Sequence, residues 1–198
     1  MLLLNTTLFL KSFTKHSKAF RFFSIYLSLM CLIQLLSLLV AKVLHKPNLF
    51  LSHFYLIFQF VFLSLFYYQI IKNKIILFLM IPILTFLSYQ YLNDFEIFFR
   101  YNSLGIAITQ LLLVIYAVAY FFLSLKGKIT FIIINTGLLL YLLSSTLIFV
   151  SGNLIFNVNI SESLNFLLIG ANRLLYFIFQ ILIFIEWRKN YYRKTLKS

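Results

Sequence analysis

Residues 104–125 read LGIAITQLLLVIYAVAYFFLSL and contain no charged side chain. A helix needs about 20 predominantly apolar residues to cross the roughly 30 Å hydrocarbon core of a bilayer, and this stretch is long enough. Its apolar residues form one continuous run, whereas a membrane β-strand alternates apolar and polar positions. The stretch therefore predicts a transmembrane helix.

Five more runs of this kind lie on either side of it, at 22–43, 49–71, 75–91, 129–150 and 164–187. Pro82 falls inside the third run of the chain and predicts a kink, because proline removes a backbone donor and clashes with the preceding turn. The loops at 72–74 and 126–128 are so short that neighbouring helices must run antiparallel. We therefore predict an all-α polytopic membrane protein, a bundle of six transmembrane helices.

The composition supports this class. Of the 198 residues 63% are hydrophobic and 11% are charged, against about 45–50% and 25% in soluble domains. A soluble domain, a disordered chain and a disulfide scaffold are all excluded, the last because Cys31 is the one cysteine.

The basic residues predict the orientation. Thirteen of the 17 Lys and Arg residues fall on one side of the predicted bundle, in segments 1–21, 72–74, 126–128 and 188–198. Lys42, Lys46 and Arg100 fall on the other side, and Arg173 lies within a span. Cytoplasmic loops of membrane proteins carry an excess of Lys and Arg. We therefore expect a multi-pass protein of the bacterial inner membrane with both termini in the cytoplasm.

Three segments follow from this topology: a basic cytoplasmic N-terminal segment at 1–21, the bundle at 22–187, and a basic cytoplasmic tail at 188–198. The apolar start at 1–10 lacks a preceding basic region and a cleavage site, so it does not match a signal peptide. Ten residues span about 15 Å as a helix, half of the bilayer core. We expect an interfacial or frayed segment that the protein retains.

Arg173 is the strongest functional candidate, since a charge near the bilayer midplane costs at least about 2.5 kcal/mol. It either lines a pore or contacts an anion, or it is a structural arginine that pairs with backbone carbonyls or snorkels in a thinned membrane. It borders a polar stripe at helical spacing on the last span. Two interpretations stay open for the stripe: the lining of a water-filled path, or hydrogen-bonding glue between helices worth about 0.6–2 kcal/mol per bond. The intramembrane stripe consists of Asn165, Asn172, Arg173, Tyr176 and Gln180.

The second span carries polar residues on two faces. His53 and Ser64 share one face, and Gln59 lies on the other with Ser52 and Tyr55. His53 is either a pH sensor at the outer surface or a hydrogen-bonded interface histidine, and we favour the second. The candidate site on this span is His53, Gln59 and Ser64.

The two basic segments, 1–21 and 188–198, are the main parts of the chain that we expect to be accessible to cytoplasmic partners. They contact either anionic lipid, with aromatic residues at the headgroups, or a cytosolic protein or ribonucleoprotein partner; direct binding of nucleic acid stays open. The candidate contact residues are Lys11, Lys15, Lys18, Arg21, Trp187, Arg188, Lys189, Arg193 and Lys194.

Enzyme signatures are absent from the sequence. The three histidines have no metal-ligand spacing, and no nucleotide-binding or nucleophile motif occurs. We predict a protein that is not an enzyme and uses no cofactor or metal.

The order of HFY at 53–55, QFVFLSLFYY at 59–68, NTGLLLY at 135–141 and SGN at 151–153 resembles a family of uncharacterised multi-span proteins of Bacteroidetes. The resemblance covers 22–187 and implies topology. Members often carry acids where this chain has Gln34 and Gln59, and a full extra span where it has only 1–10, which argues against a proton relay.

The chain also resembles, more weakly, the small membrane accessory proteins of type VI-B CRISPR loci. The resemblance lies in its length, its number of spans and the bacterial character of its sequence. A sister accessory family carries an Arg-x4–6-His motif that this chain lacks. Three functions follow as expectations. The first is an accessory or regulatory membrane protein that couples to a cytosolic partner through its basic tails, in one version a modulator of RNA-targeting antiviral defence. The second is an oligomeric channel, pore or small-solute transporter around Arg173, with a homo-oligomer as the assembly, and the third is an oligomeric membrane-disrupting effector.

Overall fold

A computed structural model describes residues 1–99, 102–125, 127, 130–157 and 162–192, and the side chains of 148–165 lie outside that description. Seven α-helices account for most of it, and the described residues contain no strand. The helices are α1 Leu2–Lys11, α2 Lys18–Lys42, α3 Leu51–Ile71, α4 Ile75–Asn93, α5 Ser103–Ser124, α6 Ile132–Asn157 and α7 Glu162–Asn190. Short 3-10 helices occupy Phe13–Lys15 and Phe95–Phe99.

The helices from α2 to α7 fall on the six predicted runs. Five of them, namely α2, α3, α4, α5 and α7, are long and apolar enough to cross a membrane. The apolar part of α6 within the described residues is the shorter stretch Ile132–Leu147. The all-helical class is therefore confirmed, and the lengths and composition of five helices indicate a membrane protein.

Residues 1–10 are not frayed, although a frayed segment is one of the two alternatives that their length predicts. They form α1, which packs against both α2 and α7. The Phe9 side chain is fully buried, and Asn5 donates from Nδ2 to the backbone oxygen of Gln180 at 2.8 Å and to its Oε1 at 2.9 Å. A ten-residue helix is marginal by itself, so these tertiary contacts are what hold it.

The other helices complete a ring with α1. Contacts run from α2 to α3, from α3 to α5, from α5 to α6 and from α6 to α7, and α1 joins α7 back to α2. Helix α4 packs mainly on α3 and lies outside the ring. It continues through Pro82, which lies inside the helix.

The sequence explains several helix ends and close approaches. The Asn102 side chain caps α5 by accepting a 2.8 Å hydrogen bond from the backbone N–H of Gly105. A Cβ added at Gly137 of α6 would lie 2.8 Å from the Phe179 ring of α7. Because glycine has no side chain there, α6 and α7 pack closely.

The short loops give the bundle two distinct ends. The basic end holds the 3-10 helix at Phe13–Lys15, the start of α2, loop 72–74 and the end of α7. The opposite end holds loop 43–50 and the segment between α4 and α5. The half nearer the basic end is filled by aromatic rings in contact with one another, whereas the other half contains a polar cavity.

Candidate functional site

A cavity of about 400 Å³ lies between α2, α3, α5, α6 and α7, in the half of the bundle away from the basic end. We call it the polar cavity, because amide, hydroxyl and guanidinium groups supply much of its lining. It is lined by Met30, Ile33, Gln34, Ser37, Asn48, Leu49, Leu51, Ser52, Tyr55, Leu56, Gln59, Ile106, Gln110, Tyr141, Asn172, Arg173 and Tyr176.

Helix α3 contributes one polar face. Ser52, Tyr55 and Gln59 are spaced so that their side chains lie on the same side of a helix, and all three line the polar cavity. Gln59 Nε2 donates to the Tyr55 hydroxyl at 3.5 Å, and the hydroxyls of Tyr55 and Tyr141 lie 3.3 Å apart. This chain of hydrogen bonds forms the inner wall of the cavity.

Helix α7 contributes the charge. Asn172, Arg173 and Tyr176 line the polar cavity, and the Tyr176 ring lies 5.4 Å from the Tyr141 ring, centroid to centroid. Asn172 Oδ1 is buried and has no hydrogen-bond partner among the described residues. Native structures leave few such groups, and Asn172 directly precedes the cation Arg173 in α7.

The outer rim of the cavity is held by the loop between α2 and α3. Asn48 Nδ2 donates to the backbone oxygen and to the hydroxyl of Ser37, at 3.2 Å and 2.5 Å. Both residues line the cavity. The loop is thereby tied to the last turns of α2 at the edge of the opening.

The cavity stops at the aromatic half of the bundle. Along α3, the residues below Gln59 include Phe60, Leu63, Phe66 and Tyr67, all fully buried. The Tyr67 hydroxyl donates to Asn135 Oδ1 at 2.9 Å, and Asn135 Nδ2 donates to the backbone oxygen of Ala117 at 3.1 Å. Among the described residues, this packing separates the polar cavity from the basic end.

The predicted stripe on α7 divides into two parts. Asn172, Arg173 and Tyr176 reach the polar cavity, while Gln180 is buried and accepts a hydrogen bond from Asn5 of α1. For Gln180 the geometry favours the second interpretation of the stripe, a hydrogen bond that holds two helices together. The Asn165 side chain lies outside the described residues.

His53 and Ser64 lie away from the polar cavity, as their separate face on α3 predicts. The His53 ring is buried, and its Nδ1 lies 3.0 Å from the Tyr91 hydroxyl. Asn102 Nδ2 donates to the same hydroxyl at 3.4 Å. This arrangement is that of a hydrogen-bonded interface histidine. Ser64 is buried between helices.

The basic end presents exposed cations, as predicted, at Lys11, Lys15, Lys18, Arg21, Arg188 and Lys189, while Arg193 and Lys194 lie outside the described residues. Trp187 corrects the prediction: it is only 7% exposed, so it packs inside the bundle and cannot serve as a headgroup anchor. Tyr191 is buried as well, against Phe20 at 4.8 Å and Phe131 at 5.6 Å between ring centroids. Burial raises the pKa of the Tyr191 hydroxyl above its usual range, with Glu186 adding to the shift.

Glu186 is the buried acid that the charge pattern did not single out. Its Oε2 accepts a 3.0 Å hydrogen bond from the backbone N–H of Ile133, in the first turn of α6, and its Oε1 accepts from Asn190 Nδ2. A carboxylate at this position satisfies a helix N-terminus and complements its dipole. Glu186 thus ties α7 to α6 at the basic end.

Arg173 is the one charged residue among the described residues that line the polar cavity. None of the described residues that line it is acidic, and Arg173 brings five N–H donors. Within the part of the chain that the structure describes, no group of three His, Cys, Asp or Glu residues could hold a metal ion. The arrangement suits an anionic or acceptor-rich group that is also hydrogen-bonded by amides and hydroxyls.

Several lining residues lay outside the predicted site. Asn48 and Tyr141 complete the cavity from a loop and from α6. A single polar residue in a loop or an apolar span gives no spacing signal, so only the assembled bundle brings them to Arg173.

Comparison with family models, with curated proteins and with solved structures finds no match to this chain. The two resemblances drawn from the sequence therefore stay predictions, and the site must be interpreted from its own chemistry.

Proposed function

We propose that this protein is a six-span inner-membrane protein, with both termini in the cytoplasm, that binds the anionic group of a ligand in its polar cavity. In that topology α2 to α7 are the spans, and the basic end faces the cytoplasm. The polar cavity then lies in the periplasmic half of the bundle. The function belongs to the ligand-binding and transport class rather than to catalysis.

The positions of the cations support the orientation. The exposed Lys and Arg residues of the first 21 residues, of loop 72–74 and of the end of α7 all lie at the basic end. Lys42 and Lys46 lie at the opposite end. Such an asymmetry is the signature of a cytoplasmic face.

One observation carries the binding proposal: Arg173 lines a cavity whose described walls contain no acid. A charge at that depth costs at least about 2.5 kcal/mol unless a partner or water compensates it. Intramembrane ionisable residues usually face a cavity or substrate path for this reason. A bound anion would supply the missing partner.

Two other functions make different demands on the molecule. A pore requires a continuous path, and the buried aromatic residues below Gln59 separate the cavity from the basic end in this conformation. The accessory role requires a cytosolic partner on the basic end. The exposed cations there favour it as a second candidate, and the version in antiviral defence stays a prediction from resemblance.

The proposal is tested by the charge preference of a cysteine placed in the cavity. Ser52→Cys would be made in a Cys31→Ser background and exposed on spheroplasts to two membrane-impermeant methanethiosulfonates, the anionic sulfonatoethyl and the cationic trimethylammonioethyl reagents. Arg173 attracts the anion through a partly shielded medium. We therefore expect Arg173→Gln to lower the ratio of anionic to cationic labelling rates on the order of tenfold.

Leu92→Cys is the matched control, because Leu92 lies near the same end of the bundle, is 85% exposed and does not line the polar cavity. Its ratio of rates should not respond to Arg173→Gln. Equal ratios for Ser52→Cys with and without Arg173 would refute an anion-selective cavity. Labelling of Ser52→Cys only in inverted vesicles would reverse the proposed orientation.

A further inference from the structure

The ring of helices has a gap between α2 and α7. Helix α2 packs on α3 and α1, and α7 packs on α6 and α1, but the described residues of α2 and α7 make no extensive contact with each other. Helix α1 fills this gap over its own ten residues, where Asn5 is bonded to Gln180. Nearer the opposite end the gap stays open.

A second cavity, of about 340 Å³, occupies the open part of the gap. Cys31, Leu35 and Leu38 of α2 form one wall, and Phe177 of α7 forms part of the other. Gln34, Arg173 and Tyr176 line this cavity and the polar cavity alike. The same three side chains therefore connect the gap with the site of the proposed anion.

The outer rim of the gap is apolar and exposed. Leu35 and Leu38 are each 50% exposed, and Phe177 is 51% exposed. All three belong to helices that are long and apolar enough to span a membrane, so in a bilayer this rim meets acyl chains. A route thus runs sideways from the lipid to the Arg173 guanidinium.

We infer that the ligand is an amphiphilic lipid with an anionic headgroup, which enters between α2 and α7 and places that headgroup in the polar cavity. This inference rests on the proposed function and names its ligand class. Arg173 would pair with the phosphate, as guanidinium groups commonly do. The amides of Gln34 and Gln59 suit headgroup hydroxyls, which both accept and donate hydrogen bonds.

The dimensions support a ligand held by its head. A volume of about 400 Å³ lies at the small end of the range for ligand pockets. It accommodates a headgroup, whereas the acyl chains would stay in the gap against Leu35, Leu38 and Phe177. A soluble anion would not require an apolar side opening.

The experiment measures protection of Ser52→Cys, again in a Cys31→Ser background, from uncharged N-ethylmaleimide. The protein would be placed in nanodiscs of phosphatidylcholine alone, or of phosphatidylcholine and phosphatidylglycerol in equal amounts. We expect phosphatidylglycerol to slow labelling about fivefold, which corresponds to about 80% occupancy. Inorganic phosphate added to phosphatidylcholine nanodiscs should not protect, and Arg173→Gln should abolish the protection.

A blocked gap separates lateral entry from binding at the mouth. Leu35→Trp fills the gap and should abolish protection by phosphatidylglycerol while leaving the charge preference of the methanethiosulfonates intact. Leu36→Trp is its control, because Leu36 is also exposed on α2, at 40%, but lines neither cavity. Protection should persist in that variant.

Each outcome has one meaning. Protection by phosphate equal to that by phosphatidylglycerol would overturn the lipid ligand and leave the proposed anion site standing. Protection by phosphatidylglycerol that survives Leu35→Trp would overturn lateral entry. If phosphatidylglycerol gives no protection while the preference for the anionic methanethiosulfonate is intact, lipid binding is overturned altogether. If Ser52→Cys shows no preference for the anionic methanethiosulfonate while Arg173 is present, the proposed function itself is refuted.

Discussion

The two halves of this bundle are built from the same kinds of helices but are filled differently. Near the basic end, the rings of Phe9, Phe20, Phe23 and Tyr191 form four contacting pairs, with centroids 4.8 to 6.5 Å apart. The Phe66 ring joins them, with its centroid 5.3 Å from that of Phe23. In the other half, tyrosine, amide and guanidinium groups line the polar cavity. Aromatic packing contributes stability, whereas side chains that line a cavity have fewer protein neighbours to pack against. We conclude that the first half holds the fold, whereas the second contains the proposed ligand site.

The largest expected effect comes from removing a ring in the packed half. Phe20 is fully buried and contacts Phe9, His16 and Tyr191. Core Phe→Ala substitutions cost about 3–5 kcal/mol in soluble proteins, and we expect the lower end for Phe20→Ala because lipid competes for apolar surface. Reversible unfolding of the purified protein in mixed micelles would measure the loss.

Tyr176→Ala makes the matching change in the open half. Its ring already borders two cavities and therefore has fewer neighbours to lose. We expect a cost below about 2 kcal/mol, smaller than that of Phe20→Ala. Equal losses for the two variants would break the distinction between the halves.

The next effect concerns α1, which closes the gap between α2 and α7 on the packed side only. Asn5→Leu removes two hydrogen bonds to Gln180 and leaves the buried Oε1 of that residue without its described donor. Interhelical hydrogen bonds in membranes are worth about 0.6–2 kcal/mol, so we expect a loss of that order in the same unfolding measurement. Thr7→Ala is the control, because the Thr7 side chain is exposed and donates within its own helix, to the Leu4 backbone oxygen. A stability unchanged in Asn5→Leu would mean that apolar contacts alone hold α1.

The sequence predicted the packed framework better than the site within it. Continuous apolar runs and short charged loops locate six helices, since the bilayer fixes their length and satisfies no backbone group. The spacing of Ser52, Tyr55 and Gln59 also separates the cavity face of α3 from the face of His53. Periodicity reports a face of one helix but no partner across the bundle, so Asn5 with Gln180 and Glu186 with Ile133 could not be paired from sequence.

The role of Trp187 was misjudged for a related reason. An aromatic residue followed by Arg188 and Lys189 has the pattern of an interfacial anchor. The pattern cannot distinguish a side chain that faces lipid from one that faces the inside of the bundle. Burial of Trp187 and Tyr191 shows that the end of α7 contributes to the packed half.

The smallest expected effect therefore comes from shortening the C-terminus behind Tyr192. Removal of 193–198 takes away Arg193, Lys194 and Lys197 but leaves Tyr191 among Phe9, Phe20 and Phe131. We expect its unfolding free energy to change by less than about 0.5 kcal/mol, as for surface changes in general. Removal from Tyr191 onward should cost more, because it empties the centre of the aromatic cluster. If a cytosolic partner binds through the charges of the tail, both truncations should abolish its binding. If only the longer truncation abolishes binding, the partner depends on the packed half. Pull-down of the two truncated proteins beside their stability curves decides between these cases, and it separates a docking role for the tail from its contribution to the fold.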